Sequence, residues 1–256
     1  MTPAHIADLL APFLRAKLTP STVPPDCHSE PANAGQEPAV LSSAQLDRIS
    51  TYINILTRWN SRINLTAIRD PEDIVTRHFG ESLFAARYLF PRPSSVSPAT
   101  PVSKDFDVDV DLANDQRPTT KHVRIADLGS GAGFPGLPIK LWAPNISLTL
   151  IESNHKKAAF LREVTRTLTL TNVDIQNTRA ETLTTTFEVV TLRAVDRFET
   201  VLPTAAALLA PAGRLALLIS AAQQNQAQTT LPHLFWSPAV PIPNSRSRIL
   251  LTASSK

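Results

Sequence analysis

The stretch Val123-Arg-Ile-Ala-Asp127-Leu-Gly129-Ser-Gly131-Ala-Gly133-Phe-Pro-Gly136-Leu-Pro138 decides the fold. Of the seven glycines in 256 residues, four fall in the eight positions from Gly129 to Gly136. Such a concentration marks a backbone requirement, because glycine turns at positive φ without penalty and lets a ligand approach the main chain. The apolar run Val123 to Leu128 ahead of the loop reads as a strand. Pro135 behind it suits the first turn of a helix. Strand, glycine turn and helix together open a βαβ unit built to hold a nucleotide-like ligand.

Working outward, Ser147 to Ile151, Val173 to Gln176, Val189 to Leu192 and Leu215 to Ile219 read as further strands, with Arg248 to Ala253 a weaker one at the end. Helical stretches begin near Pro135, Asn154 and Glu199. Strands separated by helices predict an α/β fold with a mainly parallel sheet and helices on both faces. The long apolar segment Val201 to Ala222 has the length of a membrane span, but Pro203, Pro211, Gly213 and Arg214 divide it into helix, turn and buried strand.

Upstream the pattern is helical. Thr2-Pro3 predicts a cap and first helical residue for a helix burying Ile6, Leu9, Leu10, Phe13 and Leu14. Ser42 and Gln45 have capping-box spacing ahead of an apolar face of Leu46, Ile49, Ile53, Leu56 and Trp59. Asp70-Pro71 starts a third helix running toward Tyr88. Prolines cluster between Pro20 and Pro38, Pro91 and Pro101, and Pro232 and Pro243, marking loops or inserts. The expected organisation is an N-terminal helical region over 1–90 with a proline-rich insert at about 20–40, a flexible acidic insert over 91–121, and a core over 122–256 that packs with 41–90 as one domain.

Cys27 is the single cysteine, so no intramolecular disulfide is expected, and no metal site. The apolar stretch Ala7 to Leu14 has no basic residue ahead of it and contains Pro12, so no secretory signal is read and the cytoplasm is the expected location. The net charge is +3. Asp105, Asp107, Asp109, Asp111 and Asp115 lie together in a stretch without Lys or Arg, so the rest of the chain is more basic than the total suggests. That balance is compatible with an anionic partner.

Gly131, Gly133 and Gly136 satisfy G-x-G-x-x-G, which admits a dinucleotide. Glu152 ends the second strand, where a carboxylate can accept hydrogen bonds from both hydroxyls of a ribose. Asp127 discriminates between ligands: a carboxylate beside the loop sits badly near a pyrophosphate but suits a cofactor carrying an ammonium and a sulfonium. S-adenosylmethionine has both, and an NAD-dependent oxidoreductase is the alternative.

Two further stretches point in the same direction, Asn64-Leu-Thr-Ala-Ile-Arg-Asp-Pro-Glu72 and then Arg77-His78, ahead of the loop from Asp127 to Pro138. In this order they resemble the bacterial 16S ribosomal RNA (guanine-N7) methyltransferases, also called glucose-inhibited division protein B. The resemblance covers about Leu41 to Phe90 and Val123 to Leu217. It implies a class I S-adenosylmethionine-dependent methyltransferase fold, Rossmann-like, with an N-terminal helical region. By the same resemblance Gly129, Phe134, Ala180, Glu181 and Arg193 join Asp127, Gly131, Gly133 and Glu152 around the cofactor, and Arg193 takes a possible positioning role. Arg62, Arg69, Arg77, His78 and Arg197 are candidates for contact with 16S ribosomal RNA or a small-subunit particle. A monomer without membrane attachment is expected.

Two departures from that family are legible. Glu81-Ser82 stands where Asp-Ser is usual, and Ile219-Ser220-Ala221 where Lys-Gly is common. The missing Lys-Gly, with the Gln/Asn-rich stretch Gln223 to Gln228 and the proline-rich segment beyond it that do not align with the family, keeps open a non-catalytic RNA-binding protein that has retained the fold. The chemistry expected of an N7 methyltransferase needs no essential general base, since guanine N7 carries an exposed lone pair and the protein's task is positioning.

Overall fold

The structure, a computed structural model, describes residues 1–16, 40–92, 122–193 and 198–255. Cys27, the acidic stretch around Asp105 to Asp115 and Arg197 lie outside the described residues.

Five parallel strands form the body of one sheet: β1 (Arg124–Leu128), β2 (Ser147–Ile151), β3 (Val173–Gln176), β4 (Phe187–Arg193) and β5 (Leu209–Ser220). β6 (Phe235–Trp236), β7 (Val240–Pro241) and β8 (Arg248–Ser254) complete it. The order is β3-β2-β1-β4-β5-β8-β6, with β7 also on β8. β8 runs antiparallel between β5 and β6, in register from Arg214↔Ser254 to Ser220↔Arg248. The weakest strand reading of the sequence is therefore an interior strand, with Ile249 to Ala253 all buried. The long apolar segment resolves into α7 (Phe198–Ala207) and β5. The turn expected at Pro211 to Gly213 is instead an irregularity inside β5, where the register with β4 shifts and Ala212 takes a φ of 57°.

α1 (Pro3–Arg15) starts as its residues dictate, with Thr2 accepting from the His5 amide and Pro3 in the first turn. α2 (Ser43–Asn60) begins with a complete capping box between Ser42 and Gln45. The third helix starts at the Asp70 cap as α3 (Pro71–Asp73) and continues through a π-helical segment, Ile74–Gly80, into α4 (Glu81–Leu89). The π segment was not foreseen. It ends on Gly80, where an added Cβ would lie 2.5 Å from the Phe13 ring of α1, so this glycine admits the close crossing.

α5 (Gly136–Trp142) and α6 (His155–Thr167) cover the same face of the sheet as the N-terminal helices. One apolar core joins Ile6, Phe13, Ile49, Tyr52, Phe79 and Phe84 with Leu137, Leu148, Phe160 and Leu218. α7 and α8 (Gln224–Thr230) cover a second core on the other face, around Val190, Leu202, Leu215 and Leu251. The carboxyl ends of β1, β2 and β4 therefore open beside the helical region.

Candidate functional site: the glycine loop and a buried arginine cluster

The loop after β1 holds Gly129, Gly131 and Gly133 at φ of 65°, 54° and 86°. Its glycines have different reasons. A Cβ on Gly131 would meet only the Gly129 carbonyl, at 3.7 Å, so space lies open above the turn. A Cβ on Gly133 would collide with Tyr52 and come within 2.6 Å of Leu137, so packing demands this glycine. Tyr52 reaches the loop from α2 and donates its phenol to the Ala132 carbonyl, 2.5 Å away. Burial, with the Asp127 charge second, holds that phenol well above its ordinary pKa, so it remains a donor.

Glu152 closes the far side. Its two carboxylate oxygens accept from the Gly131 amide at 2.9 Å and the Asn154 amide at 2.7 Å. Each oxygen retains a lone pair, so the ribose-accepting geometry expected of it stays available. Asn177, just after β3, donates to the Glu152 carbonyl and brings the Ala180–Glu181 segment to this edge. Ala180 and the exposed Glu181 line a shallow groove with Leu183, Pro203, Thr204 and Ala207.

Asp127 sits differently from the expected carboxylate beside a ligand. It is fully buried, accepts from Thr191 Oγ1 at 2.7 Å and the Gly136 amide at 3.2 Å, and its carbonyl accepts from Ser130. Burial pushes its pKa up to about 6 against those hydrogen bonds. The carboxylate thus ties β1 to β4 and to the start of α5, and what it offers the loop is shape.

Phe134 lies in an aromatic stack between the N-terminal helices. His78 is stacked on one side at 4.7 Å between centroids and Tyr52 on the other at 5.5 Å, while Phe79 meets both Phe134 and Tyr52 edge-on. His78, expected to face RNA, is 8% exposed with both ring nitrogens engaged, Nδ1 with Arg193 and Nε2 with Thr66, each at 2.8 Å. The π-helical turn and the packing on Phe134 draw it inward. Burial first, then Arg193, Arg77 and Arg248, lowers its pKa to about 3, so it is neutral near pH 7.

Arg193 ends β4 with a side chain only 8% exposed. Beyond His78, it donates to the Arg77 carbonyl and to Glu81 at 3.0 Å. Arg248, from β8, reaches the same Glu81 oxygen at 3.1 Å and donates to the Leu218 carbonyl. The longer Glu81 therefore bridges two guanidiniums, and Ser82 caps the His78 carbonyl. The Nε atoms of both arginines are buried without a partner. Arg248 was absent from the expected site, because only the antiparallel placement of β8 brings it there. Arg62, Arg69 and Arg77 are exposed. Trp59 is partly buried against the core, and its indole donates to Glu163, the carboxylate that also pairs with Arg58. No group of His, Cys, Asp and Glu suited to a metal occurs among the described residues.

A parallel sheet in this order, closed by an antiparallel β8 where a dinucleotide-binding sheet would continue parallel, is a class I S-adenosylmethionine-dependent methyltransferase fold. Its cofactor is S-adenosylmethionine, and the open turn at Gly131 beside the Glu152 carboxylate fits that group. The chain belongs to the GidB family, rRNA small subunit methyltransferase G, whose family model matches residues 45–96 and 112–237. It is 36% identical over 200 residues to the ribosomal RNA small subunit methyltransferase G of Xylella fastidiosa (strain 9a5c), covering 75% of this chain and 80% of that protein. It is similarly 38% identical over 179 residues to that of Halorhodospira halophila (strain DSM 244 / SL1), covering 70% and 71%. No helix among the described residues is long and apolar enough to cross a membrane.

Proposed function

We propose that this chain transfers the methyl group of S-adenosylmethionine to N7 of a guanine in 16S ribosomal RNA, acting as a monomer in the cytoplasm. The observation that carries the reading is the family match, which runs from within α2 through α4 and from β1 through β6. When bound, S-adenosylmethionine supplies a methyl group on a sulfonium. The open turn at Gly129 and Gly131 and the Glu152 carboxylate would hold that group, so that its methyl could be supplied to N7.

No proton has to be removed, so the protein's part is to bind and align. Glu152 accepts from the ribose hydroxyls, Gly129 and Gly131 let the cofactor approach the backbone, and Ala180–Glu181 lie on the adenine side. Asp127 holds the loop, Gly133 and Phe134 set its packing, and Arg193 orients groups at the carboxyl end of β4. The exposed Arg62, Arg69 and Arg77 carry the RNA-facing charge, contacting phosphates, and Arg197 follows Arg193 in the chain.

Incubation of the purified chain with labelled S-adenosylmethionine and small-subunit particles, or naked 16S RNA, tests the reading. Label recovered as 7-methylguanosine in 16S RNA is expected; label at another atom, or in protein, would reject it.

A further inference from the structure

Thr66 lies in the Asn60–Asp70 connection between α2 and α3. Its Oγ1 is 2.8 Å from His78 Nε2 and accepts from the Ile68 amide at 3.1 Å. The connection is itself pinned, because Asn60 Oδ1 accepts from the Leu65 and Thr66 amides and Asn60 Nδ2 donates to the Thr66 carbonyl.

On the other side of the ring stands Arg193. A guanidinium has only donors, so the 2.8 Å contact from its Nη1 requires His78 Nδ1 to be a bare acceptor. In a neutral imidazole the proton then sits on Nε2 and is donated to Thr66. The opposite tautomer would set Nδ1–H against Nη1–H and withdraw an acceptor from a buried cation. Arg193 has little slack to absorb that change, since its Nε is already without a partner.

We propose that Thr66 is a positioning residue: it accepts the Nε2 proton that Arg193 leaves on His78, and so holds the imidazole, the Arg193 guanidinium and the Phe134 ring in working register. The hydroxyl is the element that matters, because its oxygen is the acceptor for that buried N–H. Thr66 touches neither cofactor nor RNA in this scheme. Its effect on turnover rests on the methyltransfer proposed above, but its effect on the imidazole does not.

The test uses the full chain labelled with nitrogen-15 in histidine, with tautomers read from the two-bond nitrogen–proton correlations of the imidazoles near pH 7. His78 in the parent should show a protonated Nε2 and an unprotonated Nδ1. Thr66→Val should keep the Nε2–H tautomer but shift its proton resonance upfield through loss of the hydrogen bond, and lower turnover at saturating S-adenosylmethionine by about tenfold, the scale of one hydrogen bond, with KM for RNA within about twofold. Thr66→Ser should restore both. An Nδ1–H or imidazolium pattern in the parent would overturn the proposal even if Thr66→Val failed to fold. So would Thr66→Val with an unchanged Nε2–H resonance and full turnover, or Thr66→Ser behaving as Thr66→Val does. A parent that lacks methyl transfer but shows the expected tautomer behaviour would reject the proposed function while retaining the role of Thr66 toward His78.

Discussion

The amide of Gly131 donates to the carboxylate of Glu152 across 2.9 Å, joining the turn after β1 to the end of β2. Glu152 also accepts from the Asn154 amide that precedes α6. The residue proposed to bind ribose is therefore also the one that holds the glycine turn in shape, and the two tasks should fail together.

Glu152→Ala should weaken S-adenosylmethionine binding by about 1.5–3 kcal/mol, the range for hydrogen bonds to a charged group. Glu152→Gln, which keeps one acceptor oxygen, should lose less. Titration calorimetry on folded variants checks both; a loss below about 0.5 kcal/mol for the alanine variant would separate Glu152 from the cofactor.

The two glycines of the turn should respond in opposite ways. Gly131→Leu projects into open space, so helical content should persist while cofactor binding is lost, with a backbone cost of about 1–2 kcal/mol at its positive φ. Gly133→Ala drives a methyl group into Tyr52 and Leu137 and should cost about 1–3 kcal/mol of stability through overpacking, plus its own backbone strain. Circular dichroism melts alongside calorimetry distinguish them, and equal melting temperatures would contradict the assignment.

Tyr52→Phe keeps the stack on Phe134 but leaves the buried Ala132 carbonyl without its donor. A stability loss of about 1–3 kcal/mol is expected, together with weaker S-adenosylmethionine binding because the loop is no longer tied to α2. Parent-like melting and affinity would show that the phenol does not hold the loop.

Acid should expose His78. Its folded pKa of about 3 lies below its ordinary 6.5, so between those values the unfolded chain binds the extra proton and stability rises with pH. Asp127 works the other way: raised to about 6 from 3.8, it costs stability as pH climbs through that interval. Comparing parent with His78→Gln cancels the aspartate. The destabilisation caused by the substitution should be larger at pH 7 than at pH 4.5 by about 2–3 kcal/mol in denaturant titrations. Equal values at the two pH settings would mean that His78 is not held neutral.

Much of this was legible in the residues, for identifiable reasons. The capping residues Thr2, Ser42 and Asp70 act locally, and the structure uses them where they fall. β1 to β4 are short apolar runs bounded by turn residues, which periodicity detects. Strand order leaves no local trace, so Arg248 to Ala253 looked peripheral although β8 lies between β5 and β6. The π-helical turn at Ile74–Gly80 has no composition signal; on an otherwise apolar helix His78 reads equally as a hydrogen-bonded core residue or an RNA contact, and only the packing on Phe134 decides for the first. Tyr52 sits among Ile49, Ile53 and Leu56 on an apolar face, and its polar tip was the one hint of a distant partner. Glu81 looked like a weakened Asp-Ser pair; its additional methylene still lets one carboxylate serve both Arg193 and Arg248.

The central claim is methyl transfer to N7 of a guanine in small-subunit ribosomal RNA. Its most direct measurement combines the purified chain, radiolabelled S-adenosylmethionine and small-subunit RNA or particles lacking the modification, followed by nucleoside analysis. The account predicts label in 7-methylguanosine, dependent on RNA and abolished by Gly131→Leu. A folded parent chain that binds S-adenosylmethionine yet transfers no label to either substrate would contradict it.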